Sequence, residues 1–429
     1  MFPLYSLLYT IAFVLMLPLF LLRREKYAAG FAQRLGKYPK FGSDDRPVIW
    51  LHAVSVGEAN AARPLVKAIR ERFPGHRLVI STTTATGQKL AQEIFKGEAD
   101  AVVYFPFDWK FSVRRALRQY QPAVVLLMET EIWPRFIHEA KLSGAKVAIV
   151  NGRLSERSYR RYSFVRGFIE RVLRDVDLAL MQDETDAGRI SALGLGSSKL
   201  DVTGNLKFEI GSIAGSETTE YFRWRFDLKG SPLLIVAAST HAPEERLILE
   251  ALKDVDIEYR LMIVPRHPQR FDAVAKLIGE FGFDPARRSH VESQRDSSAK
   301  VILLDSIGEL RAVYPLADIV FVGGSLIPHG GQSVLEPAAA GKAIVTGPHT
   351  HNFAAVMKEF LRREAAIQIP PQRSDDEYVE RLYEAFTDLA LDRDLRDRLG
   401  RAALEAIDSN RGATERAVNA LDRQLITNY

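Results

Sequence analysis

Cysteine is absent from the 429 residues, which excludes disulfide frameworks, thiolate metal sites and cysteine nucleophiles. The nine histidines show no HExxH or comparable spacing, so we expect no metal site and no metal cofactor. The GxxxxGK(S/T) motif of P-loop ATPases is also missing. Because the chain carries no zinc-finger, helix-turn-helix or RNA-binding aromatic motif, nucleic acid is the partner class that the sequence favours least.

A strong net charge is absent as well, since 58 Lys and Arg residues stand against 54 Asp and Glu residues. The resulting charge of +4 suits an anionic membrane or a phosphorylated substrate. A hydrophobic content of 47% with 26% charged residues indicates a globular chain. Its length exceeds what one hydrophobic core usually serves, so we predict two domains.

Charge is missing altogether from the first 22 residues, and positions 7–22 read LLYTIAFVLMLPLFLL. As a helix, the first 22 residues would span roughly 33 Å, about the thickness of a bilayer core. A basic stretch follows, formed by Arg23, Arg24, Lys26, Arg34, Lys37 and Lys40. The positive-inside tendency places these charges and all that follows in the cytoplasm. We predict a membrane anchor at residues 1–22, either spanning or docked in the interface, and a basic juxtamembrane segment at 23–46.

After Pro47, short apolar runs alternate with longer amphipathic ones, as in parallel sheets covered by helices on both faces. The strands predicted in the first half are 48–53, 78–82, 101–105, 123–128, 147–150, 178–181 and 202–203. Those predicted in the second half are 233–238, 260–264, 301–304, 319–322 and 343–346. This alternation stops between about Phe208 and Gly230, where Gly, Ser, Glu and Thr are frequent. We therefore predict Rossmann-like domains at 47–208 and 231–429, joined by a linker at 209–230.

Ligands of open α/β sheets bind beyond the carboxyl ends of the strands, so the residues that follow each strand are the candidates for chemistry. In the first half, Gly57 permits a tight turn and Glu58 begins a helix, where it is either a base or a residue that only complements the helix dipole. Glu129 and Glu131 follow a buried strand and form either a catalytic pair or a surface pair. Lys207 stands before the linker, where it could neutralise a carboxylate or a phosphate.

In the second half, four loops together indicate a nucleotide site. Arg266, beside His267, suits bidentate phosphate binding, and Gly323 to Ser325 would allow close backbone approach to a phosphate. The remaining candidates for nucleotide binding are Ile307, Gly308, Glu309, Ser333, Val334, Leu335 and Glu336. Of these, Glu336 is placed to accept hydrogen bonds from a ribose diol.

At these residues the chain resembles the 3-deoxy-D-manno-octulosonic acid (Kdo) transferases. The matching segments are the apolar N-terminus with its basic flank, 51–58 (LHAVSVGE), 128–134 (METEIWP), 151–155 (NGRLS), 204–208 (GNLKF), 264–268 (VPRHP), 321–326 (FVGGSL) and 347–350 (GPHT). They keep the family order and cover nearly the whole chain. The sequence departs from the family at Ser333, where Asn is expected after Gly331 and Gln332; because Ser still donates a hydrogen bond, we expect an altered contact rather than lost activity.

The resemblance implies a GT-B glycosyltransferase with an interdomain cleft, which transfers Kdo from CMP-Kdo to a phosphorylated lipid A precursor with inversion at a bacterial inner membrane. It implies that Glu58 is the general base, that Glu129 and Lys207 support the transition state, and that Arg266 with the loops at 307–309 and 333–336 holds CMP. A basic run suits the acceptor phosphates or is a solvated helix face; it comprises Arg153, Arg157, Arg160, Arg161 and Arg166.

Two alternatives remain open from the sequence. Another GT-B enzyme that uses UDP, either a transferase or an epimerase, would bind uridine rather than cytidine nucleotides. A non-catalytic membrane-anchored protein that kept the fold would bind ligand without turnover, although Glu58 argues against it.

Overall fold

The computed structural model describes residues 2–22, 29–42, 44–210, 213, 215–229, 232–253 and 255–426. The chain forms two compact units. The N-terminal unit runs to Glu209 and takes in the segment that begins at Gly412, and the C-terminal unit is Ile210–Arg411. Residues 412–429 were predicted in the second domain, and that prediction is wrong because the closing helix packs on the first.

The N-terminal unit contains a seven-stranded parallel sheet in the order β3-β2-β1-β4-β5-β6-β7. Its strands are β1 (Val48–His52), β2 (Arg77–Thr82), β3 (Ala101–Tyr104), β4 (Pro122–Met128), β5 (Lys146–Gly152), β6 (Leu178–Met181) and β7 (Leu200–Val202). Its helices are α1 (Phe2–Leu22), α2 (Phe31–Arg34), α3 (Val56–Arg72), α4 (Ala85–Ile94), α5 (Lys110–Tyr120), α6 (Pro134–Leu142), α7 (Glu156–Phe164), α8 (Arg166–Leu173) and α9 (Glu184–Ala192). The order of the strands reverses between β1 and β4, which is where such sheets bind ligands.

The C-terminal unit contains a second seven-stranded parallel sheet in the order β10-β11-β9-β8-β12-β13-β14. Its strands are β8 (Leu233–Thr240), β9 (Tyr259–Pro265), β10 (Ala286–Arg287), β11 (Val301–Leu303), β12 (Ile319–Val322), β13 (Ala343–Thr346) and β14 (Ile367–Gln368). Its helices are α10 (Glu217–Arg225), α11 (Glu244–Lys253), α12 (Phe271–Glu280), α13 (Leu310–Val313), α14 (Leu335–Ala339), α15 (Ala354–Arg362), α16 (Asp375–Leu391) and α17 (Arg393–Asp408). The strand order reverses between β8 and β12.

Both faces of the first sheet are buried, as its continuous apolar strands predict. Ile49 and Leu51 of β1 point into one core and Trp50 into the other, because neighbouring side chains alternate across a strand. The last helix, α18 (Ala413–Leu421), adds Ala417 and Leu421 to the core that contains Ile49. The predicted linker is also partly structured, since α10 lies inside residues 209–230 and buries Phe222 in the C-terminal unit.

Helix α1 lies against the N-terminal unit along its aromatic side. Phe2 stacks on His138 with ring centroids 4.0 Å apart, and the Tyr5 hydroxyl donates to Asp108 Oδ2 at 2.7 Å. Phe13 packs against Trp109 at 4.8 Å. The aliphatic side of α1 is exposed to solvent, and the exposed residues are Leu4, Leu7, Leu8, Ile11, Val14, Leu15 and Met16.

The prediction that residues 1–22 cross a bilayer is not supported: within the described ranges, no helix is long and apolar enough to do so. The basic stretch is also smaller than predicted. Arg34 is buried, where its Nε donates to Ala29 O at 3.2 Å and its guanidinium lies over the Tyr104 ring. Lys37 and Lys40 are exposed, and Arg23, Arg24 and Lys26 lie outside the described residues.

Candidate active site

Glu58 lies in the first turn of α3, directly after β1, at the point where the strand order reverses. Ser55 caps this helix, and its hydroxyl also donates to Glu58 Oε1 at 3.0 Å. The N–H of Val54 donates to Glu58 Oε2 at 2.8 Å. The carboxylate is therefore held over the loop that joins β1 to α3.

Burial and, after it, the negative charge of Glu129 raise the pKa of Glu58 to about 7, against the opposing hydrogen bonds from Val54 and Ser55. A carboxyl group that ionises near neutral pH can accept a proton efficiently at that pH. The pKa lies above the ordinary value of a glutamate because loss of solvent outweighs the hydrogen bonds from Val54 and Ser55.

Glu129 follows β4, the strand beside β1, and adopts a left-handed backbone with φ of 53°. Its Oε1 accepts from Lys207 Nζ at 2.6 Å. Glu131 is half-buried, and burial together with Glu129 raises its pKa. The structure thus brings Glu58, Glu129 and Lys207 to the same edge of the sheet, as the sequence predicted.

Lys207 is placed by a network of amide side chains that the sequence argument did not single out. Asn151, with φ of 55°, accepts from the Leu206 N–H at 3.0 Å through Oδ1. Asn205 Oδ1 accepts from the Lys207 N–H at 2.9 Å, and Asn205 Nδ2 donates to Gln182 Oε1 at 2.9 Å. Gln182 follows β6 directly, so the rule of reading the residues after each strand could have found it.

Near Glu58, Gly87 and His52 have structural roles, whereas Gly57 does not have the role that the sequence predicted. Gly57 was predicted to permit a tight turn, but it lies within α3 and a Cβ added there would meet only Ser55 Oγ, at 3.9 Å. The close approach occurs at Gly87, where a Cβ would lie 2.7 Å from Thr84 Oγ1 and 3.5 Å from Val54 O. His52 is fully buried against Phe105, and burial lowers its pKa to about 3, so it stays neutral at physiological pH.

In the C-terminal unit, the Gly-Gly-Ser loop after β12 is satisfied by the protein itself. The Glu244 carboxylate accepts from the N–H groups of Gly324 at 2.7 Å, Ser325 at 2.9 Å and Leu326 at 3.0 Å. It also accepts from His241 N at 2.9 Å. Assigning Gly323 and Ser325 to phosphate binding is therefore wrong, because the fully buried Ser325 and the N–H groups of this loop serve Glu244.

Arg266 and His267 are exposed after β9, the strand beside β8. The Arg266 N–H donates to Thr240 O at 3.0 Å, which joins this loop to the end of β8. His241 is buried beside two further imidazoles, and its ring centroid lies 5.3 Å from that of His267 and 4.9 Å from that of His329. Burial and these two neighbours lower the pKa of His241.

The two remaining loops follow the carboxyl end of the same sheet. Ile307 is 80% exposed and Gly308 adopts φ of 85°, whereas the Glu309 carboxylate is held by Arg288 at 2.9 and 3.0 Å. Ser333 Oγ accepts from the Leu335 N–H at 3.4 Å. Val334 and Leu335 are buried, and Glu336 is half-buried with a pKa that burial raises. Among the residues predicted to bind the nucleotide, Arg266, His267, Ile307 and Gly308 are exposed, and Glu309, Ser333 and Glu336 are half-buried.

Within the part of the chain that the structure describes, no group of three or more His, Asp or Glu side chains is arranged to hold a metal ion. The arrangement can still support acid–base chemistry at Glu58 and anion binding at Arg266.

Comparison with known proteins gives consistent matches. A family model described as 3-deoxy-D-manno-octulosonic-acid transferase (kdotransferase) matches residues 29–210. The 3-deoxy-D-manno-octulosonic acid transferase of Haemophilus influenzae is 34% identical over 417 residues, covering 95% of this chain and 94% of that protein. The enzyme of the same name from Bordetella pertussis is 31% identical over 385 residues, covering 87% and 86%.

Among solved structures, MurG of Acinetobacter baumannii is similar with a TM-score of 0.55 and 17% identity, covering 88% of this chain and 99% of its own. This likeness concerns the fold alone and agrees with an α/β fold of the GT-B type, with one parallel sheet in each unit.

Proposed function

The chain belongs to the 3-deoxy-D-manno-octulosonic acid transferase family and is a glycosyltransferase of lipopolysaccharide biosynthesis, and we propose that it transfers Kdo from CMP-Kdo to a phosphorylated lipid A precursor with inversion. One observation carries the proposed chemistry. Glu58 is a buried carboxyl group whose pKa is about 7, at the reversal point of the sheet and close enough to Glu129 for that charge to raise its pKa. A group with these properties suits a general base.

In the proposed reaction, Glu58 takes the proton from an acceptor hydroxyl while the oxygen of that hydroxyl attacks the anomeric carbon of Kdo. The bond from that carbon to the phosphate oxygen breaks, and CMP leaves as an anion that needs no general acid. Positive charge develops on the sugar ring, and we assign its stabilisation to the Glu129 carboxylate. Lys207 holds Glu129 in position through their 2.6 Å contact.

The C-terminal unit supplies the proposed donor site. Arg266 is exposed beyond β9 and suits the CMP phosphate, with His267 beside it. Ile307 offers an exposed apolar surface to the base, and Ser333 and Glu336 offer hydrogen bonds to the ribose. Because Arg288 binds Glu309, we assign the contacts of the 307–309 loop to its backbone and to Ile307.

Location completes the proposal. Helix α1 is fixed to the N-terminal unit by Tyr5 and Phe2 and exposes leucines on its other side, which suits a helix lying in the membrane interface. We place the enzyme on the cytoplasmic face of the bacterial inner membrane, with α1 as its attachment.

The test is an assay of the purified protein with CMP-Kdo and lipid A precursor, in which mass spectrometry counts the sugars added to the product. We expect product with one or more Kdo units and no product when a UDP-sugar replaces CMP-Kdo. Donor binding without product would favour a non-catalytic binding protein, and uridine nucleotide binding in place of cytidine would favour another GT-B activity.

A further inference from the structure

The junction of α7 and α8 exposes large apolar side chains. The helices meet at Val165, which ends one and begins the other. Phe164 is 89% exposed and Val165 is 51% exposed. Two adjacent apolar side chains exposed at the junction of two helices point to a partner that is itself apolar. We call residues 164–166 the α7–α8 elbow.

The elbow lies beside the apolar helix α1. Phe168, in the first turn of α8, contacts Phe2 at 5.9 Å and Tyr5 at 5.6 Å between ring centroids. These contacts use the aromatic side of α1 and leave its aliphatic side exposed. The exposed leucines of α1 and the elbow are thus neighbouring parts of one unit, joined through Phe168.

Positive charge surrounds the elbow. Arg157, Arg161 and Arg166 are all exposed, and none of them forms an ion pair with a residue that the structure describes. Helix α7 buries no residue of its own. A surface helix that carries arginines along its length and a Phe at its end has the composition of an element that lies at a lipid–water interface.

The elbow also leads towards the catalytic carboxylates. Tyr162, one turn before Val165, is half-buried, and burial with the nearby Glu131 charge raises its pKa. Thr130 lies between Glu129 and Glu131, and its Oγ1 accepts a hydrogen bond from the Arg153 N–H at 2.9 Å. Tyr162 of helix α7 therefore lies near Glu131, two residues from Glu129 in the chain.

We propose that the α7–α8 elbow is a second membrane-contact element, in which Phe164 and Val165 enter the headgroup–acyl boundary while Arg157, Arg161 and Arg166 bind anionic lipid headgroups. Contact at α1 and at the elbow would hold the edge of the sheet that bears Glu129 close to the lipid surface. The inference rests on the proposed function only for its purpose, the delivery of a lipid acceptor.

The absence of cysteine makes the test specific. Full-length Val165→Cys and Phe164→Cys variants each carry a single thiol for an environment-sensitive fluorophore. Vesicles of phosphatidylethanolamine and phosphatidylglycerol, without acceptor or donor, supply the membrane. The matched control is Val291→Cys in the C-terminal unit, where the native side chain is 91% exposed. Leu8→Cys on the exposed side of α1 reports attachment itself.

We expect the fluorophore at positions 164 and 165 to shift to the blue on vesicle addition and to be quenched by lipids that carry a quencher in the upper acyl region. The control at position 291 should keep its aqueous emission. The double variant Arg157→Gln/Arg161→Gln should need roughly tenfold to thirtyfold more lipid for half-maximal binding, because each basic residue near an anionic surface contributes about 1 kcal/mol.

Aqueous emission at 164 and 165 on vesicle-bound protein, with a blue shift at position 8, would overturn the proposal. So would a shift at the elbow that requires acceptor lipid, since the elbow would then bind the substrate rather than the bilayer. Neither result touches Kdo transfer, which is measured separately on dispersed acceptor, so failure of this inference is distinguishable from failure of the proposed function.

Discussion

Glu58 meets two requirements that usually oppose each other, burial from water and ionisation. Burial and the charge of Glu129 raise its pKa, while hydrogen bonds from Val54 and Ser55 favour the charged form. The balance leaves a pKa of about 7, so the carboxylate is available as a base at neutral pH and is protonated in acid. Lys207 holds the Glu129 side chain in position through an ion pair of 2.6 Å.

Glu58→Gln should lower turnover by about 10²–10⁴-fold, because the amide cannot take the proton from the hydroxyl of the acceptor substrate. The same substitution should leave CMP binding unchanged. In the unsubstituted enzyme, kcat/KM should rise with pH through about 7 and level off above it, since only the ionised carboxylate is a base. Steady-state kinetics across pH checks both. The control is Glu217→Gln, at the exposed start of α10. Wild-type turnover in purified Glu58→Gln would end the general-base assignment.

Arg266→Ala should weaken CMP-Kdo binding, because its proposed partner is the donor phosphate and a charge-assisted hydrogen bond contributes roughly 1.5–3 kcal/mol. The acceptor KM should stay near its original value. Calorimetry with CMP and kinetics with each substrate varied in turn measure the two effects. Arg393→Ala, at an exposed position of α17, is the control for loss of a surface charge. An unchanged donor KM with unchanged kcat/KM contradicts the assignment.

At the scale of elements, Glu244 ties the start of α11 to the loop after β12. Four backbone N–H groups converge on one carboxylate that is fully buried. Gly323 allows this approach, since a Cβ there would lie 2.6 Å from Ser239 O. The loop therefore positions β8, β12 and α11 relative to one another rather than binding substrate.

Glu244→Gln should lower the free energy of unfolding by about 2–4 kcal/mol, because the amide nitrogen cannot accept and would leave N–H donors buried without partners. Chemical denaturation of the purified variant measures the change. Glu250→Gln on the same helix, which breaks a partly exposed ion pair with Arg246, should change stability by less than about 1 kcal/mol. Equal stability of the two variants would show that the Glu244 contacts contribute little.

At the scale of the whole molecule, activity should survive EDTA. The proposed mechanism uses a carboxylate base and an arginine, and CMP leaves as an anion without a Lewis acid. The measurement is turnover before and after chelation and after addition of single divalent ions. Complete loss restored by one ion would reveal a metal requirement that this mechanism does not contain.

Removal of residues 1–22 should make the protein more soluble and leave turnover of detergent-dispersed acceptor in place, since the proposed catalytic residues lie after residue 50. Activity on acceptor in vesicles should fall, because α1 no longer holds the enzyme at the surface. Full-length and truncated protein are compared side by side on micelles and vesicles. The Tyr5–Asp108 hydrogen bond makes a stability measurement of the truncated form necessary.

If the truncated protein is folded but inactive on micelles, the N-terminus belongs to the acceptor site. If neither vesicle activity nor membrane partitioning changes, α1 is not the attachment.

The sequence alone determined the two parallel sheets, because strands buried on both faces must be continuously apolar and helices must cover them. It also predicted that Glu58, Glu129 and Lys207 follow strands of the first sheet and that Arg266 follows a strand of the second, because the carboxyl ends of the parallel strands within a sheet meet at one edge. The two-residue strands β10 and β14 were missed, since so short a pattern carries no period.

Only the tertiary structure decided which polar groups are free. The Gly323–Ser325 segment reads like a phosphate loop, yet Glu244, from 80 positions away, occupies its N–H groups. Arg34 reads like a membrane-facing charge and is buried over Tyr104. The closing helix α18 follows the second domain in sequence but completes the core of the first. In each case the deciding partner is distant along the chain, and local sequence specifies what a residue can bind but not what the fold brings to it.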